Sequence, residues 1–340
     1  MATTVVSTTC TMDCPDACAL QVTVTDGRIR SIAAGTDHPN TNGFICDKVQ
    51  RFDRRVYHAD RLLYPMRRSG PKGSGQFTRI AWDEALSEIA ARFHEITAHY
   101  GAEAILPYHY GGSNGIIGDG FLDSYFFARL GASRLARTLC AAPAAEVATG
   151  MYGKMPGVAY DDYPAAKCII VWGANPKAAN IHLMPYLRQA KRNGAFIASV
   201  NPVCNFSAQE IDLHIPVYPG ADLPLALAMI NHCREGGHLA QEFLAQHTDG
   251  AETLLEQASK WPIERAAQAA RVPAADIRAL ADRYAESAPA VIRVGWGTER
   301  NLNGGQALAA IMAMPALMGK FGVRGGGYTL SNSGAAKFDN

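Results

Sequence analysis

"KCIIVWGANP", residues 167–176, is the stretch on which the reading of this chain turns. Cys168 to Trp172 are all apolar and β-branched at their centre, and the run breaks at Gly173. With no polar residue alternating, both faces of such a strand are buried, as in a parallel sheet covered by helices on each side. Three further runs repeat the pattern: "AFIASV" (195–200), "DLHIPV" (212–217) and "AVIRVG" (290–295). Helical segments are expected between them near 182–193, 222–235 and 273–286. The pattern predicts an α/β fold with a doubly wound, Rossmann-like sheet of a nucleotide-binding kind. In such sheets ligands bind beyond the carboxyl ends of the strands. Gly173, Asn175 and Pro176 follow the first strand, Asn201 the second, and Gly295 and Gly297 the fourth. The third leads to "PGADLP" (219–224), where Asp222 has two readings. It either caps a helix or accepts the paired N–H donors of a guanine. A later glycine run, "GKFGVRGGGY" (319–328), contains Gly326. None of these matches the G-x-G-x-x-G fingerprint of nicotinamide enzymes.

The 340 residues are 48% hydrophobic and 19% charged, with a net charge of +1. That balance gives no reason to expect a nucleic-acid partner or a membrane surface. No apolar run approaches the roughly 18 residues of a membrane span. The start "MATTVVSTTC" has no basic or apolar signal region, so a cytoplasmic location is expected.

Four of the eight cysteines fall in the first fifty residues: Cys10, Cys14 and Cys18 in "CTMDCPDAC", and Cys46 in "GFICDK". The spacing admits a [4Fe–4S] cluster, a zinc ion or buried free thiols. Three ligands on one tight loop plus one from a distant return suit a cubane, whereas structural zinc sites pair cysteines as two short knuckles. Between them, "ALQVTVTDGRIRSIAAG" (19–35) alternates and turns at Asp26-Gly27, which predicts a β-hairpin and a small, mostly β subdomain. Lys48 reads either as a solvated lysine or as an ammonium beside an anionic cluster. Further on, Trp82-Asp83-Glu84 opens a helix with apolar positions at Leu86, Ile89, Ala90 and Phe93. A short strand, "AEAILPY" (102–108), then the glycine-rich "HYGGSNG" (109–115) and a helix near 119–130 are expected to follow.

The cysteine pattern together with "RLLYPMRRSGPKGSGQFTRIAWDEAL" (61–86) resembles the opening of the molybdopterin oxidoreductases, the dimethyl sulfoxide reductase superfamily. The resemblance implies a [4Fe–4S] cluster on Cys10, Cys14, Cys18 and Cys46. It also implies a bis(molybdopterin guanine dinucleotide) cofactor carrying molybdenum or tungsten, a small-molecule substrate, and an electron-carrier protein or redox subunit as partner. Lys48 would lie on the electron route. The stretches "VWGANP", "PGAD" and "GVRGGG" are similar to those that hold the two guanine dinucleotide arms, which takes in Gly173, Asn175, Pro176, Asp222 and Gly326. Where the family often has Asp-Pro-Arg, this chain has Asn201-Pro202-Val203.

Cys140 stands in "ARTLCAAPAAEVATG" (136–150). Taken alone, a cysteine among alanines reads as a small buried hydrophobe. The resemblance makes it the thiolate ligand of the metal. Formate dehydrogenases place a histidine after that ligand; here it is Ala141, which counts against formate oxidation. The implied domains are 1–58 for the cluster, 59–135 for the first part of a second α/β domain, and 136–335 for the dinucleotide-binding domain. The family's C-terminal barrel domain is expected to be missing from these residues, so the resemblance covers the family's N-terminal half. The alternative is an electron-transfer or scaffold module of the same fold without a working molybdenum site.

Overall fold

A computed structural model describes residues 2–110, 122–155 and 157–331. It divides into two compact units, Met1–Arg137 and Thr138–Asn340.

The first unit begins with an antiparallel sheet of β1 (Thr3–Thr9), β2 (Ala19–Thr25) and β3 (Arg28–Ala34), in that spatial order. Asp26 and Gly27 join β2 to β3 with φ of 50° and 75°, both in the left-handed region that a tight two-residue hairpin turn requires. Leu20 and Ile32 point to one face and form a small core with Cys18 and Val49. Two short helices follow Cys46: α1 (Asp47–Gln50) and α2 (Phe52–Val56), with Phe52 packed on that core. A two-stranded ribbon, β4 (Met66–Arg68) with β5 (Phe77–Arg79), leads to α3 (Trp82–Tyr100). Glu84 and Glu88, one turn apart on α3, both bind the Arg67 guanidinium of the ribbon, at 2.8 and 2.6 Å. No residue of α3 is buried; Phe93 meets Phe126 and Phe127 of α4 (Leu122–Leu130).

The strand expected at "AEAILPY" does not form. Ala102–Ala104 make a 3-10 turn, and beyond it Ile105 has extended dihedrals but no ladder. Its carbonyl accepts one hydrogen bond, from the Ser133 amide. Extended residues become a strand only when a neighbour completes the ladder, and among the described residues none does. Of the glycine-rich stretch 109–115, residues 111–115 lie outside the described residues, as does the start of the helix expected from 119.

The second unit opens with α5 (Ala142–Tyr152) and is organised by a five-stranded, all-parallel sheet. Its strands are β6 (Cys168–Trp172), β7 (Phe196–Val200), β8 (Leu213–Ile215), β9 (Ala290–Val294) and β10 (Gly327–Thr329). Their spatial order is β10-β9-β6-β7-β8. The chain thus steps from β6 outward to β8, then crosses to β9 on the other side of β6, reversing direction between β6 and β9. Helices α6 (Pro176–Ala179) and α7 (Met184–Arg192) lie between β6 and β7. Between β8 and β9 come α8 (Asp222–Glu235), α9 (Gln241–His247), α10 (Ala251–Ser259), α11 (Ile263–Ala270) and α12 (Ala274–Glu286). The last, α13 (Gly304–Leu317), lies between β9 and β10.

The apolar run on which the reading turned is buried on both faces. Cys168, Ile170 and Trp172 join a core shared with α5, α8, α12 and α13. Ile169 and Val171 join a second core with Leu183, Leu187 and Ala190 along α7 and the turn before it. Each such side chain, fully buried, contributes about 1.5–3 kcal/mol.

One buried strand carries a charge. Arg293 of β9 is 6% exposed and donates from Nε to Asn180 Oδ1 at 3.1 Å and from Nη1 to the Leu330 carbonyl at 3.0 Å. It also reaches the carbonyls of Val294 and Thr329. A desolvated guanidinium needs such acceptors, and here they fasten the end of β10 to β9.

Candidate functional site

The first candidate site lies within the first unit. The loop from Cys10 to Cys18 is closed at its base by the Cys10 amide donating to the Cys18 carbonyl at 2.8 Å. Inside it, the Met12 amide points at Cys10 Sγ, 3.4 Å away. Ala17 turns the loop with φ of 42°. Cys46 is the residue that precedes α1, and Cys10, Cys18 and Cys46 all lie against the Leu20–Ile32–Val49 core. None of the four is in a disulfide.

They sense one another. Burial pushes the Cys10 thiol up, opposed by the Met12 amide; the neighbouring Cys18 and Cys46 raise it further, and Lys48 lowers it. Burial likewise pushes Cys14 up to about 12, opposed by the Asp16 amide, with the Asp16 carboxylate and Cys18 adding to the rise. Cys10 and Cys14 thus resist losing their protons, and a bound cation would take up the charge of their thiolates. Among the described residues no three His, Cys, Asp or Glu side chains converge as a single-ion site requires. A cubane makes a different demand, because each thiolate binds its own iron at a corner and the ligands surround the cluster. Four cysteine thiols are the donor chemistry that such a cluster takes.

The second candidate site is at the carboxyl ends of β6 and β9, where the strand order reverses. The loops that leave these strands touch backbone to backbone. The Gly295 amide donates to the Trp172 carbonyl at 2.7 Å, and the Gly297 amide to the Gly173 carbonyl at 3.2 Å. A Cβ on Gly295 would lie 2.1 Å from the Gly173 oxygen, and Gly173 itself has φ of 61°. These glycines are therefore required by the crossing of the two loops.

Polar atoms are left over around the crossing. Asn175 Oδ1, Ser199 Oγ, Thr298 Oγ1 and Glu299 Oε1 are buried without a hydrogen-bond partner. They follow β6, lie on β7 and follow β9. Unpaired buried polar atoms are costly, and grouped at one sheet end they mark where a polar ligand would be received. Asn201, after β7, spends its side chain on a local turn: Oδ1 accepts from the Val203 amide at 3.1 Å. Asp222 is the first residue of α8, and Ala221 holds the cap position, so the simple cap reading fails. The buried Asp222 carboxylate accepts from the Trp172 indole at 2.8 Å, and burial raises its pKa against that hydrogen bond. One of its oxygens is thus already engaged.

Cys140 is exposed, whereas Cys168 and Cys233 are buried. The reading of Cys140 as a small core residue is overturned. It lies just before α5, and the Arg300 guanidinium donates to the carbonyls of Leu139 and Cys140, the latter at 2.9 Å. Arg300 follows Gly297 by three residues, so Cys140 is tied to the loop beyond β9. Gly326 is not part of this grouping. It precedes β10, at the amino end of the parallel sheet, and a Cβ there would meet the Lys320 carbonyl at 2.2 Å. Its small size serves the turn into β10.

Residues 3–58 match the model of the molybdopterin oxidoreductase Fe4S4 domain, and residues 61–338 match that of the molybdopterin oxidoreductase. The chain belongs to the molybdopterin oxidoreductase family. It is 34% identical over 330 residues to "Probable oxidoreductase YoaE" of Bacillus subtilis, covering 97% of this chain and 48% of that protein. It is 30% identical over 380 residues to dimethyl sulfoxide reductase DmsA of Escherichia coli, covering 97% and 45%. Among solved structures, acetylene hydratase from Pelobacter acetylenicus superposes with a TM-score of 0.75 at 26% identity, covering 92% and 44%. The chain spans about half the length of the relatives it matches.

Sequence reasoning about this molybdopterin oxidoreductase chain missed Trp172, Glu299 and Arg300. Trp172 reads as one more apolar strand residue, although its indole N–H is what holds Asp222. Glu299 and Arg300 carried a usable signal: two adjacent charges in the loop that leaves a buried strand, at the end of the sheet where ligands bind. Among the described residues no helix is long and apolar enough to cross a membrane.

Proposed function

We propose that this chain serves a molybdopterin-dependent oxidoreductase that moves electrons between a bis(molybdopterin guanine dinucleotide) centre and an external carrier. Residues 1–58 would form the cluster subdomain, 59–135 the first part of a second domain, and 136–335 the Rossmann-like dinucleotide-binding domain. The observation that carries this reading is the exposed Cys140, tied by Arg300 to the loop beyond β9 at the reversal point of the parallel sheet. Its thiol is a soft ligand suited to molybdenum or tungsten. The cofactor, when bound, supplies the two-electron redox chemistry. The chain's own part is to hold, orient and connect. Asn175, Ser199, Thr298 and Asp222 would receive the polar parts of the dinucleotides. Cys10, Cys14, Cys18 and Cys46 would hold a [4Fe–4S] cluster, with the Met12 amide and the Lys48 ammonium stabilising its negative charge.

The test is metal and nucleotide analysis of anaerobically purified protein. About four irons per chain, molybdenum or tungsten, and guanine nucleotide released on denaturation are expected. Iron with neither metal nor guanine nucleotide would favour the alternative, an electron-transfer module without a molybdenum site. A colourless, zinc-containing preparation would sink both.

A further inference from the structure

Helix α5 starts without a cap of its own. Its N-cap position is Ala141, which has no side-chain acceptor, and Pro143 fills one of the first two helical positions. The acceptor comes from 155 residues away: Glu299 Oε2 takes the Ala144 amide at 3.1 Å. A carboxylate on the first turn of a helix satisfies an orphan donor and opposes the positive end of the helix dipole.

The Glu299 side chain is fully buried, and its Oε1 stands 3.7 Å from Arg300 without a hydrogen bond. Its backbone is pinned as well. A Cβ on Gly304, the first residue of α13, would lie 2.6 Å from Glu299 Cα, so only glycine lets α13 start against it. The next residue, Arg300, donates to the Leu139 and Cys140 carbonyls. One dipeptide, held rigidly between β9 and α13, therefore grips the Cys140 segment on both sides, at the carbonyls before the helix and at the amide inside its first turn.

We propose that Glu299 and Arg300 are positioning residues for Cys140, a bracket that fixes the thiol at the sheet end before any metal arrives. This rests on the reading of Cys140 as the metal ligand. A ligand loop set in advance loses little freedom on binding, as with the outer partners that orient metal-binding side chains.

Hydrogen exchange of the 340-residue chain, without cofactor, tests the bracket directly. Glu299→Ala and Arg300→Ala are expected to speed exchange at residues 142–146 by about fivefold or more, the factor that corresponds to a lost helix cap. Exchange in β6 and β9 should stay unchanged. Glu299→Gln, which keeps an acceptor for the Ala144 amide, should remain within about twofold of the wild type. Alkylation of Cys140 by iodoacetamide, read by peptide mass against the exposed Cys204 in the same molecule, should shift in the two alanine variants and not in Glu299→Gln. Unchanged exchange at 142–146 in both alanine variants would overturn the bracket, and so would acceleration shared equally by β6 and β9. The ligand reading fails separately: a Cys140→Ser protein that retained molybdenum would overturn it whatever the exchange data show.

Discussion

At the scale of single residues, the glycines and carboxylates of the second unit make distinct demands. Gly295 and Gly297 look equivalent in "GWG", yet a Cβ would meet the Gly173 oxygen at 2.1 Å from the first and at 3.0 Å from the second. Gly295→Ala is expected to cost about 3 kcal/mol, because two backbones must part. Gly297→Ala should cost about 1 kcal/mol or less. Urea midpoints rank them, and the reverse order would refute the crossing-loop account.

Glu210 gives a pH-dependent case. The Ser207 amide at 2.9 Å, Lys177 at 3.0 Å and Arg188 at 3.3 Å hold its carboxyl at about 2, below the ordinary 4.5. A lowered folded pKa means stability that is fully present above 4.5 and lost as pH falls towards 2. Glu210→Gln should therefore cost about 1–2 kcal/mol at neutral pH, allowing for screening of its half-exposed partners. The difference from wild type should vanish near pH 2. A difference independent of pH would show that packing, and not charge, is what Glu210 supplies.

At the scale of elements, local chemistry explains what was legible and what was not. The β2–β3 hairpin could be read from Asp26-Gly27 because that pair tolerates left-handed dihedrals. Gly27→Ala should cost about 1 kcal/mol in thermal stability, since φ of 75° penalises a Cβ. Strand β6 was legible because five consecutive apolar residues cannot alternate in and out; β7 and β9 repeat the pattern with one polar residue each, Ser199 and Arg293. Strand β10 was not: Gly-Tyr-Thr has no such pattern, and it is a strand only because β9 offers a free edge and Arg293 clasps the residues that follow. Conversely, "AEAILPY" was read as a strand and, among the described residues, no neighbouring strand pairs with it. Propensity proposes an element; pairing decides it.

At the scale of the whole molecule, the division into Met1–Arg137 and Thr138–Asn340 places all four early cysteines in one unit and the parallel sheet in the other. Ile170→Ala should destabilise the second unit by about 2–5 kcal/mol through the cavity it leaves. Iron content, proposed to depend on Cys10, Cys14, Cys18 and Cys46, should be retained, and any bound guanine nucleotide should fall. Loss of iron in Ile170→Ala would show that the two units do not fold separately.

By itself the sequence determined the parallel α/β core, the hairpin, the set of early thiols and the family resemblance. These rest on patterns local to a few residues: unbroken apolar runs, a turn pair, cysteine spacing. Tertiary structure alone decided which glycines crowd which backbone, that Gly326 lies at the opposite end of the sheet, that Trp172 holds Asp222, and that Cys140 is gripped by residues some 160 positions away. The reason is physical. Hydrogen bonds and close contacts between distant segments depend on strand order and on how the crossing loops meet, and neither is written in any short stretch of chain.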